Sequence, residues 1–154
     1  MQSAISGASA AAKPGHIIPI VPVATNSTMI TDMMKKFEQQ VNAPEKYGFI
    51  SIVSSSCGFC TRLFDHVKQH KQKIAEQGKN PDTEWPHVFI DISAIQNYTG
   101  PDQNALQVKS MIPPGAGVPQ TFVFSYPDKV HGPIIGFMPL AQLEQEALKL
   151  LSGK

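Results

Sequence analysis

A short apolar run, a pair of cysteines and a long helical pattern follow one another directly, and this order constrains the fold more than any other feature. The run Phe49 to Val53 is almost continuously apolar, as expected of a strand buried on both faces. The helical pattern that starts at Thr61 ends near Gly78, and a second buried strand is predicted at Val88 to Ile92. A helix between two apolar strands is typical of a βαβ unit, so we predict an α/β fold.

The segment before this unit predicts a further helix, from Asn26 to Val41. Its apolar residues recur at spacings of three and four, and either Ser27 or Thr28 is available as the N-cap. We interpret its methionines as core residues rather than as a pliable binding face.

The segment after this unit predicts less regular structure at first. Residues 93 to 118 are hard to interpret, although Pro101-Asp102 could start a short helix. Beyond them, two apolar runs separated by a turn at Pro127-Asp128 predict an antiparallel hairpin. The last predicted element is an amphipathic helix from Leu140 to Leu151. A parallel βαβ unit and an antiparallel hairpin together predict a central mixed sheet, and we expect helices on both of its faces.

Composition predicts a single packed domain that is not specialised for nucleic acid or membranes. The chain has 154 residues, of which 42% are apolar and 16% charged. Its 13 basic and 12 acidic side chains nearly cancel and form no cationic run, so we expect no nucleic-acid partner. No apolar stretch approaches the roughly 18 to 20 residues that span a bilayer, so we expect no membrane span.

The N-terminal residues differ in character from the rest. We predict a flexible extension over residues 1 to 25 and a domain over residues 26 to 154. The segment His16 to Val23 carries two prolines, so it can form only an edge strand or an extended arm, which could dock an assembly partner. Residues 1 to 15 lack the features of an intact signal peptide, which leaves a cytosolic protein or the mature form of a secreted one.

The two cysteines, Cys57 and Cys60, form a CxxC motif, which occurs in redox enzymes and in zinc sites. We expect no metal here, because His66 and His70 lie on the same rigid helix as the thiols and would not converge with them on one ion. Both histidines are interpreted as solvated. At the start of a helix, unpaired N–H groups and the dipole favour the Cys57 thiolate. We therefore predict Cys57 as the nucleophile and Cys60, one turn inside, as the resolving thiol.

This order of elements around a CxxC resembles the thioredoxin superfamily, from roughly Asn26 to the C-terminus. A second landmark, Gly117 to Phe124, looks like that family's loop with a cis-proline before the fourth strand. The resemblance implies a thioredoxin-like fold in which Pro119 is the cis-proline beside the CxxC. It also implies that Val118 offers its backbone groups to a bound peptide.

The chain departs from thioredoxin itself at Ser51 and Ser56, which stand where thioredoxin has a buried acid and a tryptophan. The pair Gly58-Phe59 is most similar to the Gly-Tyr pair of bacterial Dsb-type disulfide isomerases, and we expect both residues to contact substrate. The segment Val118 to Phe122 resembles extracytoplasmic thioredoxin-like reductases. These likenesses favour a periplasmic or otherwise extracytoplasmic bacterial location, with the cytoplasm as the alternative.

The predicted function is that of a thiol-disulfide oxidoreductase, reductase or isomerase-like, which exchanges disulfides with protein clients and a redox partner protein and needs no cofactor. The alternative is a thioredoxin-fold binding or assembly module of a bacterial envelope or secretion complex with little redox activity. Ser51, the proline-containing arm and the irregular stretch Ser93 to Val118 motivate that alternative. We interpret Trp85 as a packing anchor and Asp91 as a strand-end or buried hydrogen-bonding group.

Overall fold

A five-stranded mixed sheet is the centre of the computed structural model, which describes residues 21–96, 98–112, 117–126 and 129–152. The strands are β1 (Val23–Ala24), β2 (Tyr47–Val53), β3 (His87–Asp91), β4 (Gln120–Ser125) and β5 (Lys129–Ile135). The helices are α1 (Ser27–Gln40), α2 (Gly58–Glu76), α3 (Pro81–Glu84), α4 (Gln103–Met111) and α5 (Leu140–Leu151), with a 3₁₀ turn at Ile92–Ala94. The strand order is β1-β3-β2-β4-β5.

The predicted βαβ unit is confirmed, since α2 joins the neighbouring parallel strands β2 and β3. Strand β3 begins at His87 and ends at Asp91, one residue earlier at each end than predicted. It ends there because the Asp91 carboxylate accepts the Ser93 N–H at 2.9 Å and so caps the 3₁₀ turn. Helix α3 was not predicted; Asn80 caps it.

Helices cover both faces of the sheet, as predicted. On β2, Phe49 and Ile50 point to opposite faces, because side chains alternate along a strand. One face packs against α1 and α4, through Ile30, Met33, Met34, Phe37, Ala105 and Val108. The other packs against α2 and α5, through Cys60, Leu63, Val67, Ile74, Leu143 and Ala147. The two cysteines thus lie on the α2 face.

The N-cap of α1 is Asn26, not Ser27 or Thr28. The Asn26 side-chain oxygen accepts the Met29 N–H at 2.9 Å, which satisfies one of the unpaired donors of the first turn. The interpretation of the methionines as core residues is confirmed for Met33 and Met34, which are buried, and wrong for Met29, which is exposed near the start of the helix.

The stretch from 93 to 118 is more regular than predicted, because α4 occupies its middle. Asp102 caps this helix by accepting the N–H groups of Asn104 and Ala105, in agreement with the predicted start. The same carboxylate accepts the hydroxyl of Thr31 on α1. This bond, more than the backbone bonds, holds the pKa of Asp102 below its usual value. The helix is therefore tied to α1 and does not form a loose docking segment.

Both edges of the sheet agree with the predicted patterns. At one edge, β1 pairs in parallel with β3. Of the two predicted possibilities for the proline-containing arm, the end of the arm therefore forms an edge strand. The rest of that arm, His16 to Ile20, and residues 1 to 15 lie outside the described residues. At the other edge, β4 and β5 form the predicted antiparallel hairpin, whose turn residues Pro127 and Asp128 also lie outside them. Among the described helices, none has the length and apolar character to cross a membrane.

Candidate functional site

The CxxC motif forms the corner at which β2 ends and α2 begins. Cys57 is the N-cap of α2, with extended backbone angles, and its Sγ accepts the Cys60 N–H at 3.1 Å. The Cys57 N–H donates to the Ser54 carbonyl at 3.1 Å and closes the turn before the helix. Helix α2 starts at Gly58 rather than at the predicted Thr61, because the cysteine itself supplies the cap.

The two free thiols differ in their exposure. Cys57 is half-buried, whereas Cys60 is 3% exposed. The pKa of the Cys60 thiol is raised to about 12, mainly by burial; its hydrogen bond with Cys57 and the charges of Cys57 and Asp91 also contribute, and a hydrogen bond with the Ser54 backbone opposes them. Cys60 is therefore protonated at neutral pH, and Cys57 is the accessible sulfur.

The loop before β4 lies beside Cys57. The Val118–Pro119 peptide bond is cis, and the Cys57 thiol donates to the Val118 carbonyl at a distance of 3.6 Å. The Pro119 carbonyl accepts the Gly136 N–H at 2.8 Å, which ties this loop to the end of β5. Two segments 61 residues apart in the chain are thus brought together at one sulfur.

The residues between the cysteines face outward. Gly58 is exposed, and the Phe59 side chain is 59% exposed. The Arg62 guanidinium carbon lies 5.6 Å from the centroid of the Phe59 ring, in a cation–π contact. The surface near the accessible sulfur therefore presents an apolar ring that is in contact with a cation.

Beneath this corner, Ser51 is fully buried and belongs to a chain of polar side chains across three strands. Its hydroxyl lies 2.8 Å from His87 Nε2 and 2.8 Å from Thr121 Oγ1. The Trp85 indole N–H donates to His87 Nδ1 at 3.1 Å. Sequence reasoning missed His87, because a single histidine before an apolar strand gives no local signal of its partners.

The donors and acceptors in this series of hydrogen-bonded side chains determine the tautomer of His87. An indole N–H can only donate, so Nδ1 accepts and Nε2–H donates to Ser51. The Ser51 hydroxyl then donates to Thr121. Because His87 is fully buried, desolvation holds its pKa well below the usual value, and the nearby Lys71 charge lowers it further. The imidazole is therefore neutral.

The other two histidines on α2 differ from each other. His66 is exposed, as predicted, and its ring lies edge-on to Phe137. The prediction that His70 is solvated is wrong: its ring packs edge-on against Trp85, with centroids 4.9 Å apart, and burial lowers its pKa. Trp85 is buried and also stacks on Phe49, so its interpretation as a packing anchor is confirmed. No metal-type grouping of three or more His, Cys, Asp or Glu side chains occurs within the described residues.

Comparison with known proteins identifies the fold. No family model and no curated protein matches the sequence. Among solved structures, the C-terminal domain of Neisseria meningitidis DsbD, in the oxidised form, superposes with a TM-score of 0.54 at 12% identity, over 84% of this chain and 99% of that one. Schistosoma mansoni thioredoxin gives 0.51 at 14% identity, over 85% and 99%. Mitochondrial thioredoxin 3 of Saccharomyces cerevisiae gives 0.50 at 19% identity, over 84% and 95%. The predicted thioredoxin-like fold is confirmed.

The neutral state of His87 makes folding stability depend on pH. The unfolded chain binds a proton at a histidine near pH 6.5 and the folded chain does not, so stability is complete above that pH and falls as the pH drops below it. We expect the free energy of unfolding to decrease by up to about 1.4 kcal/mol per pH unit below pH 6.5 from this group. Urea denaturation at several pH values measures it.

The matched variants for this measurement are His87→Gln and His66→Gln. Replacing His87 should remove the slope that this residue contributes, whereas replacing the exposed His66 should leave the slope of the wild type. His70 contributes in the same direction in all three proteins, so it cancels in the comparison. Equal slopes in wild type and His87→Gln would contradict the neutral buried imidazole.

Proposed function

We propose that the protein is a thiol-disulfide oxidoreductase that acts on protein clients through Cys57 and Cys60. The observation that supports this most strongly is an accessible sulfur that caps a helix N-terminus, with a buried, protonated thiol three residues further on. A thiolate at such a position accepts backbone N–H groups and interacts favourably with the helix dipole. The fold neighbours lend support, since two are named thioredoxins and the third is a domain of DsbD.

The reaction follows from the different roles of the two sulfurs. The Cys57 thiolate attacks one sulfur of a client disulfide, a Cys57–client S–S bond forms, and the first client thiolate leaves. Cys60 then attacks the Cys57 sulfur, which forms the internal disulfide and releases the second client thiolate. Two electrons pass from the protein to the client, and a redox partner protein returns them. No cofactor takes part in this exchange.

The surface beside Cys57 is suited to an extended peptide. The Val118 carbonyl faces the sulfur, and the main-chain groups of this loop, which precedes β4, could hydrogen-bond an extended client segment. Phe59, two residues after Cys57, offers an exposed apolar ring. We propose that Val118 and Pro119 align the client backbone while Gly58 and Phe59 contact its side chains.

We infer a reducing or isomerising role rather than a strongly oxidising one. Phe59 brings neither a charge nor a hydrogen-bond donor to Cys57, so the thiolate is stabilised less than it would be by a histidine at that position. Less stabilisation of the thiolate lowers the reduction potential. The Gly58-Phe59 pair and the Val118-to-Phe122 segment together favour an extracytoplasmic bacterial location.

A second candidate is a thioredoxin-fold binding or assembly module with little redox activity, which could bind its partner through the N-terminal arm. The observation that favours it is that the buried side chain at position 51 is a neutral serine, hydrogen-bonded to His87 and Thr121, and not an acid. The two candidates differ in what happens when Cys57 is replaced.

Replacing either cysteine should separate the two steps of exchange. Cys57→Ser should reduce insulin disulfides only at the background rate of dithiothreitol, because the attacking sulfur is gone. Cys60→Ser should still attack but should accumulate a long-lived mixed disulfide, because nothing resolves it. Turbidity of reduced insulin measures the first effect, and mass spectrometry after acid quenching measures the second.

Ser56→Ala is the matched control, since it removes an exposed hydroxyl next to Cys57 and should retain the wild-type rate. Wild type and Cys57→Ser with the same background rate would overturn the enzyme and favour the binding module.

Removing the Phe59 ring should weaken client binding without changing the chemistry. For Phe59→Ala we expect KM for a protein client to rise by about tenfold, equivalent to about 1.4 kcal/mol of lost apolar contact. The rate with a small aromatic disulfide should stay unchanged. Tyr126→Ala is the control, because that ring is 42% exposed at the opposite end of the sheet. Equal KM values in Phe59→Ala and wild type would contradict the assignment.

The reduction potential tests the inferred direction. We expect a value between about −270 and −180 mV, the range of reducing and isomerising exchangers, and a more positive value for Phe59→His. Equilibration with glutathione buffers, followed by alkylation and mass spectrometry, measures both. A wild-type potential near about −120 mV would place the protein among strong oxidants and contradict the inference.

A further inference from the structure

The Val118 carbonyl, which faces the Cys57 sulfur, lies between two carbonyls that are themselves hydrogen-bonded. On one side, the Pro119 carbonyl accepts the Gly136 N–H at 2.8 Å. On the other side, the Gly117 carbonyl accepts an Nε2–H of the Gln120 side chain at 2.9 Å. The backbone on each side of the group beside the reactive sulfur is therefore fixed by a hydrogen bond of its own.

Packing does not hold Gly117 in place. The residue is exposed, and a Cβ built on it would have no heavy atom within 4 Å apart from those of its chain neighbours. Glycine also has more backbone freedom to lose than any other residue. Within the part of the chain that the structure describes, the hydrogen bond that its carbonyl receives comes from Gln120. Without that bond, this end of the loop would gain freedom to move.

Gln120 itself is buried on the face of the sheet that packs against α1 and α4. It is the first residue of β4, and its register partner on β2 is Ile52, which belongs to the core cluster of that face. Residues directly opposite each other in an antiparallel pair point to the same face. The Gln120 side chain therefore lies behind the loop, away from any client, and can act on the site through the Gly117 carbonyl.

The two ends of the Gln120 carboxamide are not equally satisfied. Its NH₂ group donates to Gly117, and this contact fixes the orientation of the amide, because a carbonyl can only accept. Its Oε1 is buried and has no hydrogen-bond partner among the described residues. A buried acceptor without a partner costs free energy, and an apolar side chain of similar length would avoid that cost. Core stability therefore does not account for a glutamine here, whereas its bond to the loop does.

We propose that Gln120 is a positioning residue. By holding the Gly117 carbonyl, it keeps the neighbouring Val118 carbonyl in the orientation that aligns a client backbone beside the reactive sulfur. This inference rests on the proposed function and adds a residue to it. The exchange between the sulfurs does not pass through Gln120, so losing its donor should weaken the binding of peptide clients and leave the exchange itself unchanged.

Kinetics of Gln120→Met with two disulfides test the proposal, since methionine keeps the length of the side chain and removes the donor. For insulin we expect KM to rise about fivefold, the order expected for the loss of one hydrogen bond, with kcat unchanged. The rate with hydroxyethyl disulfide, which has no peptide backbone, should stay at the wild-type value. A wild-type KM for insulin would overturn the assignment. An equal loss of rate with both disulfides would also overturn it, because Gln120 would then act on the sulfurs and not on alignment.

Two physical measurements on Gln120→Met separate positioning from a structural role. The urea midpoint should be no lower than in wild type, because the substitution removes an unpaired buried acceptor and leaves only the exposed Gly117 carbonyl, which water can satisfy. The NMR order parameter of the Val118 amide should fall from about 0.85, typical of rigid backbone, towards about 0.6. An unchanged order parameter, or a lower urea midpoint combined with a wild-type KM, would show that Gln120 only supports the core.

Gln107→Met is the matched control, because it makes the same substitution at an exposed position on α4. It should keep the wild-type KM for insulin and the wild-type order parameter of Val118, and changes as large as those in Gln120→Met would overturn the assignment. The wild type tests the proposed function separately. If it reduces neither disulfide above background, the proposed function fails and the inference with it. If it is active and Gln120→Met has the same KM, only the assignment of Gln120 fails.

Discussion

The hydrogen bond from the Cys60 N–H to the Cys57 sulfur is the interaction on which the candidate site depends. The first turn of a helix leaves N–H groups without partners, and here a sulfur satisfies one of them and makes Gly58 the first helical residue. With the helix start at this point, Cys57 faces the Val118 carbonyl and Cys60 enters the core. One capping contact thereby separates an accessible thiol from a shielded one, which is the asymmetry that disulfide exchange uses.

The buried polar chain from Trp85 to Thr121 supports this corner from below. Polar groups in a core are costly unless they are hydrogen-bonded, and each member here donates to the next, from the indole to His87 to Ser51 to Thr121. Removing one member would leave a buried partner unsatisfied, at a cost of about 1 to 3 kcal/mol. Because this hydrogen-bonded chain is neutral and its donors are committed, it contributes no charge beneath the two thiols.

Features that depend on neighbouring residues were predictable. The apolar runs, the helical spacing and the position of the CxxC predicted the βαβ unit and the place of the cysteines at the start of its helix, because each is set within a few residues of chain. The choice among Asn26, Ser27 and Thr28 as N-cap was not predictable, since all three types cap well and the backbone turn selects one. His87 escaped prediction because Ser51 is 36 residues away from it, and Thr121 is 70 residues away from Ser51.

The sequence by itself determined the spacing of Cys57 and Cys60 at the start of a helix, and with it the different exposure of the two thiols. Only the tertiary structure decided what surrounds them: the neutral His87, the hydrogen-bonded Ser51 and the Val118 carbonyl at the Cys57 sulfur. The physical reason is strand register. Parallel pairing of β2 with β3 and antiparallel pairing of β2 with β4 bring distant side chains to the same level of the same face, and no local pattern encodes that alignment.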